Sequence, residues 1–187
     1  MSSFTPPAII GSIKNLTLAG NSEMPFADWI CITEVDASSR IMTDLFRRKF
    51  GGDPPGVSHH LVALYERAPS ELHLLGYAHF LPFGDIMLVG GVCTNGSVFS
   101  LMNQEQRDEV TAAGGVYFNV LKYGFARFAD RCEAYFGYCG DARAEVVNLQ
   151  AGFQKTQHPH LLVNFHKALP PVMERALIAK AQAIGPF

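Results

Sequence analysis

The chain has 187 residues, of which 48% are hydrophobic and 17% charged, and this composition excludes an intrinsically disordered protein and suits one folded core. Its formal net charge of −2, with no basic run longer than "RRK" (47–49), gives no electrostatic footprint for nucleic acid, so we expect no nucleic-acid partner. No apolar run reaches the roughly 18 residues of a membrane span, so we expect no membrane partner.

The N-terminal stretch "MSSFTPPAII" has neither the charged start nor the long apolar segment of a signal peptide, which predicts a cytoplasmic protein. The four cysteines form no C-x-x-C pair. They are therefore expected to be reduced thiols, most of them buried.

The first half of the chain predicts strands around one helix. A candidate strand lies within 1–25, and a second, rich in β-branched and aromatic residues, covers 28–35. A helix is predicted over 36–50, because apolar residues recur at helical spacing and Gly51–Gly52 follows. Short connections then join three strand-like segments into an antiparallel meander, at 58–67, 72–83 and 85–93.

The second half alternates helices and strands. Residues 94–111 are polar and partly helical, and the aromatic residues of 117–128 are expected to be core because their spacing is helical and one-sided. The remaining predicted elements are a helix at 114–130, a strand at 133–139, a helix at 141–152, a strand or hairpin arm at 153–167, and a last helix at 170–183. This order predicts an α+β fold whose mixed, mostly antiparallel central sheet is flanked by helices.

Two glycine pairs interrupt these elements. Gly90–Gly91 lies inside the third meander strand, where glycine is typical of a β-bulge or of close approach by a ligand. Gly114–Gly115 opens the aromatic helix, whose free N–H groups would suit a phosphate, and Arg107 lies one or two turns upstream. The competing interpretation is that both pairs are turn or packing glycines, and the sequence favours neither.

The stretch "DARAEVVNLQAGFQKT" (141–156) predicts a capped helix that ends at Gly152 in a left-handed conformation, with Phe153 starting the next strand. This pattern resembles the GNAT acetyltransferase superfamily. Ala144, Val147 and Gly152–Phe153 match its usual residues, Asp141 stands where asparagine is usual, and Asn148 stands where tyrosine is usual.

The resemblance covers 58–167 and implies a wedge between two splayed strands, 85–93 and 132–140, that holds the pantetheine arm of CoA. It would place Val92, Cys93 and Thr94 along the cofactor and its pyrophosphate on the N–H groups of Gly114, Gly115 and Val116. Arg107 and Asn148 complete the expected cofactor-binding set. In "TAAGGV" only the central glycine matches the family's loop, and an amide at Asn148 cannot protonate a leaving thiolate.

The function expected from this resemblance is acyl transfer from acetyl-CoA or another acyl-CoA, as co-substrate, to a small-molecule amine. The candidate bases are His79, in the strand beside the cofactor strand, and Glu66, at the end of a neighbouring strand. A non-catalytic acyl-CoA or small-molecule binding module on the same fold is the alternative, and a protein-association domain acting through its last helix is the third reading. No metal is expected, since neither His59–His60 nor His158-Pro-His160 has the further ligands of a site.

We expect a single domain over 1–168, with a variable acceptor-side part (1–57) and a cofactor-binding core (58–167). A helical tail (169–187) follows. The apolar face of this tail could cover its own domain or a second subunit in a homodimer, and the sequence leaves both open.

Overall fold

The computed structural model describes residues 26, 28–36, 40–56 and 59–187. The candidate strand within 1–25, and with it much of the expected acceptor-side part, lies outside these residues. A single 3₁₀ turn (Arg40–Met42) precedes the first α-helix. The strands are β1 (Ile30–Val35), β2 (His59–Ala68), β3 (Glu71–Phe83), β4 (Ile86–Thr94), β5 (Ala134–Tyr138), β6 (Gln154–Lys155) and β7 (Leu161–Asn164). The helices are α1 (Thr43–Phe50), α2 (Gly96–Phe99), α3 (Gln104–Ala112), α4 (Gly115–Phe128), α5 (Ala142–Ala151) and α6 (Pro171–Ile184).

The described strands form one sheet in the order β1-β2-β3-β4-β5-β7-β6. Every neighbouring pair is antiparallel except β4 and β5, which run parallel. The predicted α+β class with a mixed, mostly antiparallel sheet is therefore confirmed. The parallel pair arises because α2, α3 and α4 form a crossover from the end of β4 back to the start of β5.

Helix α4 covers one face of the sheet. Its apolar stripe, including Leu121, Phe125 and Phe128, packs in the largest core cluster with residues such as Phe80 of β3. Phe80 stacks edge-on against Phe125 at a centroid distance of 6.2 Å. The helical spacing that predicted this stripe is confirmed, because buried positions recur on the side that faces the sheet.

The opposite face carries two smaller clusters. One joins Met42, Leu45 and Phe46, around helix α1, to Tyr77 and Cys93 of the sheet. The other joins Leu177 and Ala181 of α6 to strand residues that include Ile86, Leu88 and Phe136. The last helix thus packs on the sheet of its own chain, which answers the question that the sequence left open.

The segment 153–167 forms a short hairpin of β6 and β7 instead of one long strand. His158 and His160 lie in the turn between these two strands, where His160 has a φ of +66°. No group of three or more His, Cys, Asp or Glu side chains within the described ranges is arranged to hold a metal ion. No helix among those residues is long and apolar enough to cross a bilayer.

Candidate active-site cleft between β4 and β5

The parallel strands β4 and β5 separate partway along their length. They pair from Ile86–Ala134 to Val89–Gly137, and beyond that point β4 continues while the other strand ends at Tyr138. The gap is a cleft of about 310 Å³, at the lower end of the volumes usual for small-molecule sites. Its lining comes from α1 (Lys49, Phe50), β4 (Val89–Cys93), α4 (Tyr117), the end of β5 and the loop after it (137–141), α5 (Ala144, Asn148) and Phe153.

A β-bulge in β4 lies at the mouth of this cleft. His79 of β3 pairs with Gly90 of β4, and Tyr77 pairs with Cys93. Between these two pairs β4 therefore contains one residue more than β3. Gly91 takes a φ of +58°, a conformation that glycine adopts without strain. Of the interpretations that the sequence left open for Gly90–Gly91, the structure shows a bulge.

The two glycines also make room for His79. A Cβ on Gly90 would lie 2.6 Å from the Nε2 atom of His79, and a Cβ on Gly91 would lie 2.7 Å from its Nδ1 atom. The imidazole therefore lies across the bulge, and any larger residue there would displace it. This contact explains the glycine pair by packing. His79 is not itself among the lining residues, and its ring lies against Gly90 and Gly91, which are.

The N-terminus of α4 opens beside the cleft. Gly114 is its N-cap residue with a φ of +92°, and no side chain in the described part of the chain caps the helix. A Cβ on Gly114 would lie 2.7 Å from the ring of Phe118, whereas a Cβ on Gly115 would meet no atom of the described residues within 4 Å. Gly115 has a φ of +87°. The first N–H groups of α4 and the open space at Gly115 together suit a bound anion.

Of the residues expected along the cofactor, Val92, Cys93 and Asn148 line the cleft. Thr94 pairs with Gly76 at the end of β4 and is not in the lining. Gly114, Gly115 and Val116 lie just outside it, one turn before Tyr117. The side chain of Val116 is buried in the core and can offer a ligand only its N–H group.

Arg107 does not extend towards the N-terminus of α4. Its guanidinium donates to the carbonyl of Met102 and, at 2.9 Å, to the side-chain oxygen of Gln104. These two partners hold the charge beside the start of α3. The expected contribution of Arg107 to a phosphate site is therefore not supported by its position.

Glu66 lies at the end of β2, opposite Leu72, and is not among the cleft residues. Its carboxylate accepts a hydrogen bond of 3.0 Å from the N–H of Ser70 in the β2–β3 turn. Leu72 is seven residues from His79 along β3, about 23 Å of strand. This distance removes Glu66 from the candidates for a base in the cleft.

Tyr117 is the functional candidate that the sequence reading missed. It belongs to the aromatic run expected to be core, but it is half-buried and lines the cleft. Its hydroxyl donates a 3.2 Å hydrogen bond to Oδ1 of Asn148, the residue that stands where a tyrosine is usual. Tyr117 comes one residue before Phe118, which shares a helical face with Leu121, Phe125 and Phe128, and this offset from the face is the local signal that its ring points elsewhere.

Two weakly acidic groups of the cleft, the Tyr117 hydroxyl and the Cys93 thiol, are kept neutral by burial. Burial raises the pKa of the Tyr117 hydroxyl well above its ordinary value, and burial raises the pKa of the Cys93 thiol to about 11. Both groups are therefore protonated at neutral pH. Lys49 is the only basic side chain among the described lining residues, and the Asp141 carboxylate caps α5 by accepting from the N–H groups of Arg143 and Ala144.

The environment of His79 predicts that stability depends on pH. Burial, and secondarily repulsion from His60, lowers the His79 pKa from 6.5 to about 4. Between pH 6.5 and about pH 4 the unfolded chain binds a proton at His79 that the folded protein does not bind. The free energy of unfolding therefore falls as the pH is lowered through this range, by about 3 kcal/mol in all. Urea unfolding above pH 6.5 and near pH 4 should show a larger loss for the wild type than for His79→Gln. Equal losses in the two proteins would contradict this assignment.

No protein-family model matches the chain, and no curated protein matches it. Solved structures do match at the level of the fold. A ribosomal-protein-S5-alanine acetyltransferase from Vibrio fischeri covers 76% of this chain and 96% of its own, at 9% identity and a TM-score of 0.49.

A GNAT family acetyltransferase from Brucella melitensis, solved in complex with acetyl-CoA, matches 76% of this chain and 91% of its own, at 12% identity and a TM-score of 0.47. A provisionally named acetyltransferase from Pyrococcus horikoshii is a longer protein, since the match covers 68% of this chain but 44% of that one, at 9% identity and a TM-score of 0.47. At such identities these similarities concern the fold alone.

Proposed function

We propose that this protein is an acyl-CoA-dependent N-acyltransferase that moves an acyl group, with acetyl as the first candidate, onto a small-molecule amine. One observation carries the proposal: β4 and β5 diverge after Val89–Gly137 into a cleft with a bulge at Gly91 on one wall. The uncapped N-terminus of α4 adjoins this cleft.

The exposed edge of β4 suits an extended ligand that carries amide groups. Beyond Val89 the strand has no partner on its β5 side among the described residues, so its N–H and C=O groups there suit a chain laid alongside. The pantetheine arm of CoA is such a chain. Val92 and Cys93 would contact it, and the N–H groups of Gly114, Gly115 and Val116 would receive the pyrophosphate.

The chemistry proposed is direct attack. The amine nitrogen forms a bond to the thioester carbonyl carbon, the carbon–sulfur bond breaks, and the amide and free CoA are released. His79 takes the proton that the amine loses, directly or through a water molecule. Tyr117 donates its hydroxyl proton to the leaving thiolate and is reprotonated from solvent, since a group that stays protonated at neutral pH can act as the acid.

A thermal shift measurement tests the binding step. Acetyl-CoA and CoA should each raise the midpoint of unfolding, because a ligand that binds only the folded protein stabilises it by about 2.7 kcal/mol at a hundredfold excess over its Kd. Longer acyl-CoAs in the same series would report the chain length that the cleft accepts. Absence of a shift with CoA and with every thioester would overturn the proposal.

A non-catalytic acyl-CoA binding module remains the second candidate, and Asn148 at the usual tyrosine position is the observation in its favour. The two candidates differ in one measurable property, the release of free thiol. A panel of amines incubated with acetyl-CoA should give amine-dependent CoA release if the protein is an enzyme. Binding of CoA without release for any amine would favour the module.

A further inference from the structure

Behind the bulge, His60, Tyr77 and His79 form a buried polar chain on the α1 face of the sheet. The Tyr77 hydroxyl lies 2.7 Å from Nδ1 of His60 and 3.5 Å from Nδ1 of His79. His60 is 1% exposed and Tyr77 is fully buried. Apolar residues around α1 enclose Tyr77, with the Phe46 ring 5.5 Å from it and 6.1 Å from His79.

The single hydroxyl proton of Tyr77 restricts the tautomers of the two rings. If Tyr77 donates to His60, its oxygen is left to accept from a protonated Nδ1 of His79. The opposite arrangement needs a protonated Nδ1 on His60 and makes Tyr77 the donor to His79. In either case neighbouring rings present matched donors and acceptors, because an unmatched pair inside an apolar cluster is costly.

The surroundings of His60 favour the first arrangement. Its Nε2 atom is buried and has no hydrogen-bond partner of good geometry among the described residues. The backbone carbonyl of Pro55 acts on this ring and favours the protonated form, although burial is the larger effect and lowers the His60 pKa. A carbonyl beside the ring favours a hydrogen on Nε2, and a neutral ring then carries none on Nδ1. Tyr77 therefore donates to His60 and accepts from His79.

We propose that Tyr77 and His60 are positioning residues that hold His79 with its Nδ1 protonated and its Nε2 lone pair over Gly90, ready to take the proton of the attacking amine. This inference rests on the proposed acyltransferase function. When Nε2 takes that proton, His79 becomes an imidazolium whose Nδ1–H remains bonded to the Tyr77 oxygen. The charge can then leave by two coupled transfers, from His79 Nδ1 to Tyr77 and from the Tyr77 hydroxyl to His60.

The charged and titratable neighbours of this chain lie at both of its ends. At the His60 end, His59, Asp36 and Glu34 act on the His60 ring through their charges. Cys93 of β4 is cross-strand from Tyr77, and its thiol is neutral at pH 7. Lys49 of α1 lies close enough to act on Cys93. From β2 the only titratable side chain in hydrogen-bond contact with Tyr77, among the described residues, is His60 itself. The two carboxylates act on His60, whereas the groups that act on His79 among the described residues are His60 and the Tyr77 hydroxyl, so the role of orienting His79 falls to Tyr77.

Nitrogen-15 NMR of the histidine rings, recorded on the whole protein without any ligand, reads these tautomers directly. We expect His79 to carry its hydrogen on Nδ1 and His60 on Nε2. Tyr77→Phe should release the constraint and give His79 a mixture of tautomers. Tyr65→Phe is the matched control, because it removes a tyrosine hydroxyl that is bonded to Gln106 instead. A wild-type His79 protonated on Nε2, or a Tyr77→Phe spectrum unchanged from wild type, would overturn the inference.

Kinetics separate this role from a purely structural one. Tyr77→Phe should lower kcat about ten- to a hundredfold and leave KM for acetyl-CoA unchanged, as expected for a group that orients another. If Tyr77→Phe folds poorly, two other measurements take its place. They are the tautomer of His79 in the wild-type spectrum and the kcat of His60→Gln, which should fall while KM for acetyl-CoA stays unchanged. Failure of the proposed function would appear separately, as the absence of a thermal shift with CoA in the wild type.

Discussion

Replacing Tyr117 by phenylalanine is expected to lower kcat for acyl transfer about a hundredfold while the affinity for acetyl-CoA is retained. Phenylalanine keeps the ring that lines the cleft and removes only the hydroxyl, which Asn148 orients at 3.2 Å. Without that proton the sulfur must leave as a free thiolate. Steady-state rates of CoA release, with binding followed by thermal shift, measure the two quantities separately.

Two controls distinguish loss of an acid from loss of structure. Tyr123→Phe changes a buried tyrosine of the same helix that does not line the cleft, and it should leave the rate unchanged. An acetyl thioester of a more acidic thiol needs less help to leave, so it should restore most of the lost rate in Tyr117→Phe. Wild-type rates in Tyr117→Phe with acetyl-CoA would remove this residue from the mechanism.

Gly115→Asp is expected to weaken CoA binding by at least about tenfold, whereas Gly115→Asn weakens it much less. The site offers the space, since a Cβ at this position meets no atom of the described residues within 4 Å, and both residues tolerate a φ of +87° better than other non-glycine residues do. The two side chains differ almost only in charge. A carboxylate at the N-terminus of α4 would repel a pyrophosphate, and a difference of about 1.4 kcal/mol is enough for a factor of ten.

Position 115 gives a cleaner test than position 114, where a Cβ would collide with Phe118 at 2.7 Å. An acidic residue in the first turn also favours the helix, so a loss of binding in Gly115→Asp would not follow from unfolding. Binding titrations of CoA and of pantetheine with both variants show which part of CoA is responsible for the difference in affinity. Pantetheine has no pyrophosphate and should bind the two variants equally, and equal CoA affinities would place the pyrophosphate elsewhere.

Local chemistry in the sequence determined much of the framework. Gly152 ends α5 with a φ of +116°, and Phe153 is buried beneath it, as the stretch 141–156 predicted. These features can be predicted from the sequence because helix capping and hydrophobic periodicity depend on residues within a few positions of one another. A bulge at Gly91 was among the interpretations of the sequence for the same reason, since an interior glycine pair is a local signal.

Only the tertiary structure decided which side chains meet. Tyr117 and Asn148 are 31 positions apart and touch because α4 and α5 pack together beside the cleft. His79 lies over Gly90 because the register of β3 against β4 brings it there, and a shift of one residue would have turned its ring to the other face. Arg107 and Glu66 were plausible by residue type alone, and their own local hydrogen bonds direct them away from the cleft. The sequence thus determined the elements and their ends, while the site depended on register and packing between distant segments, which no local pattern encodes.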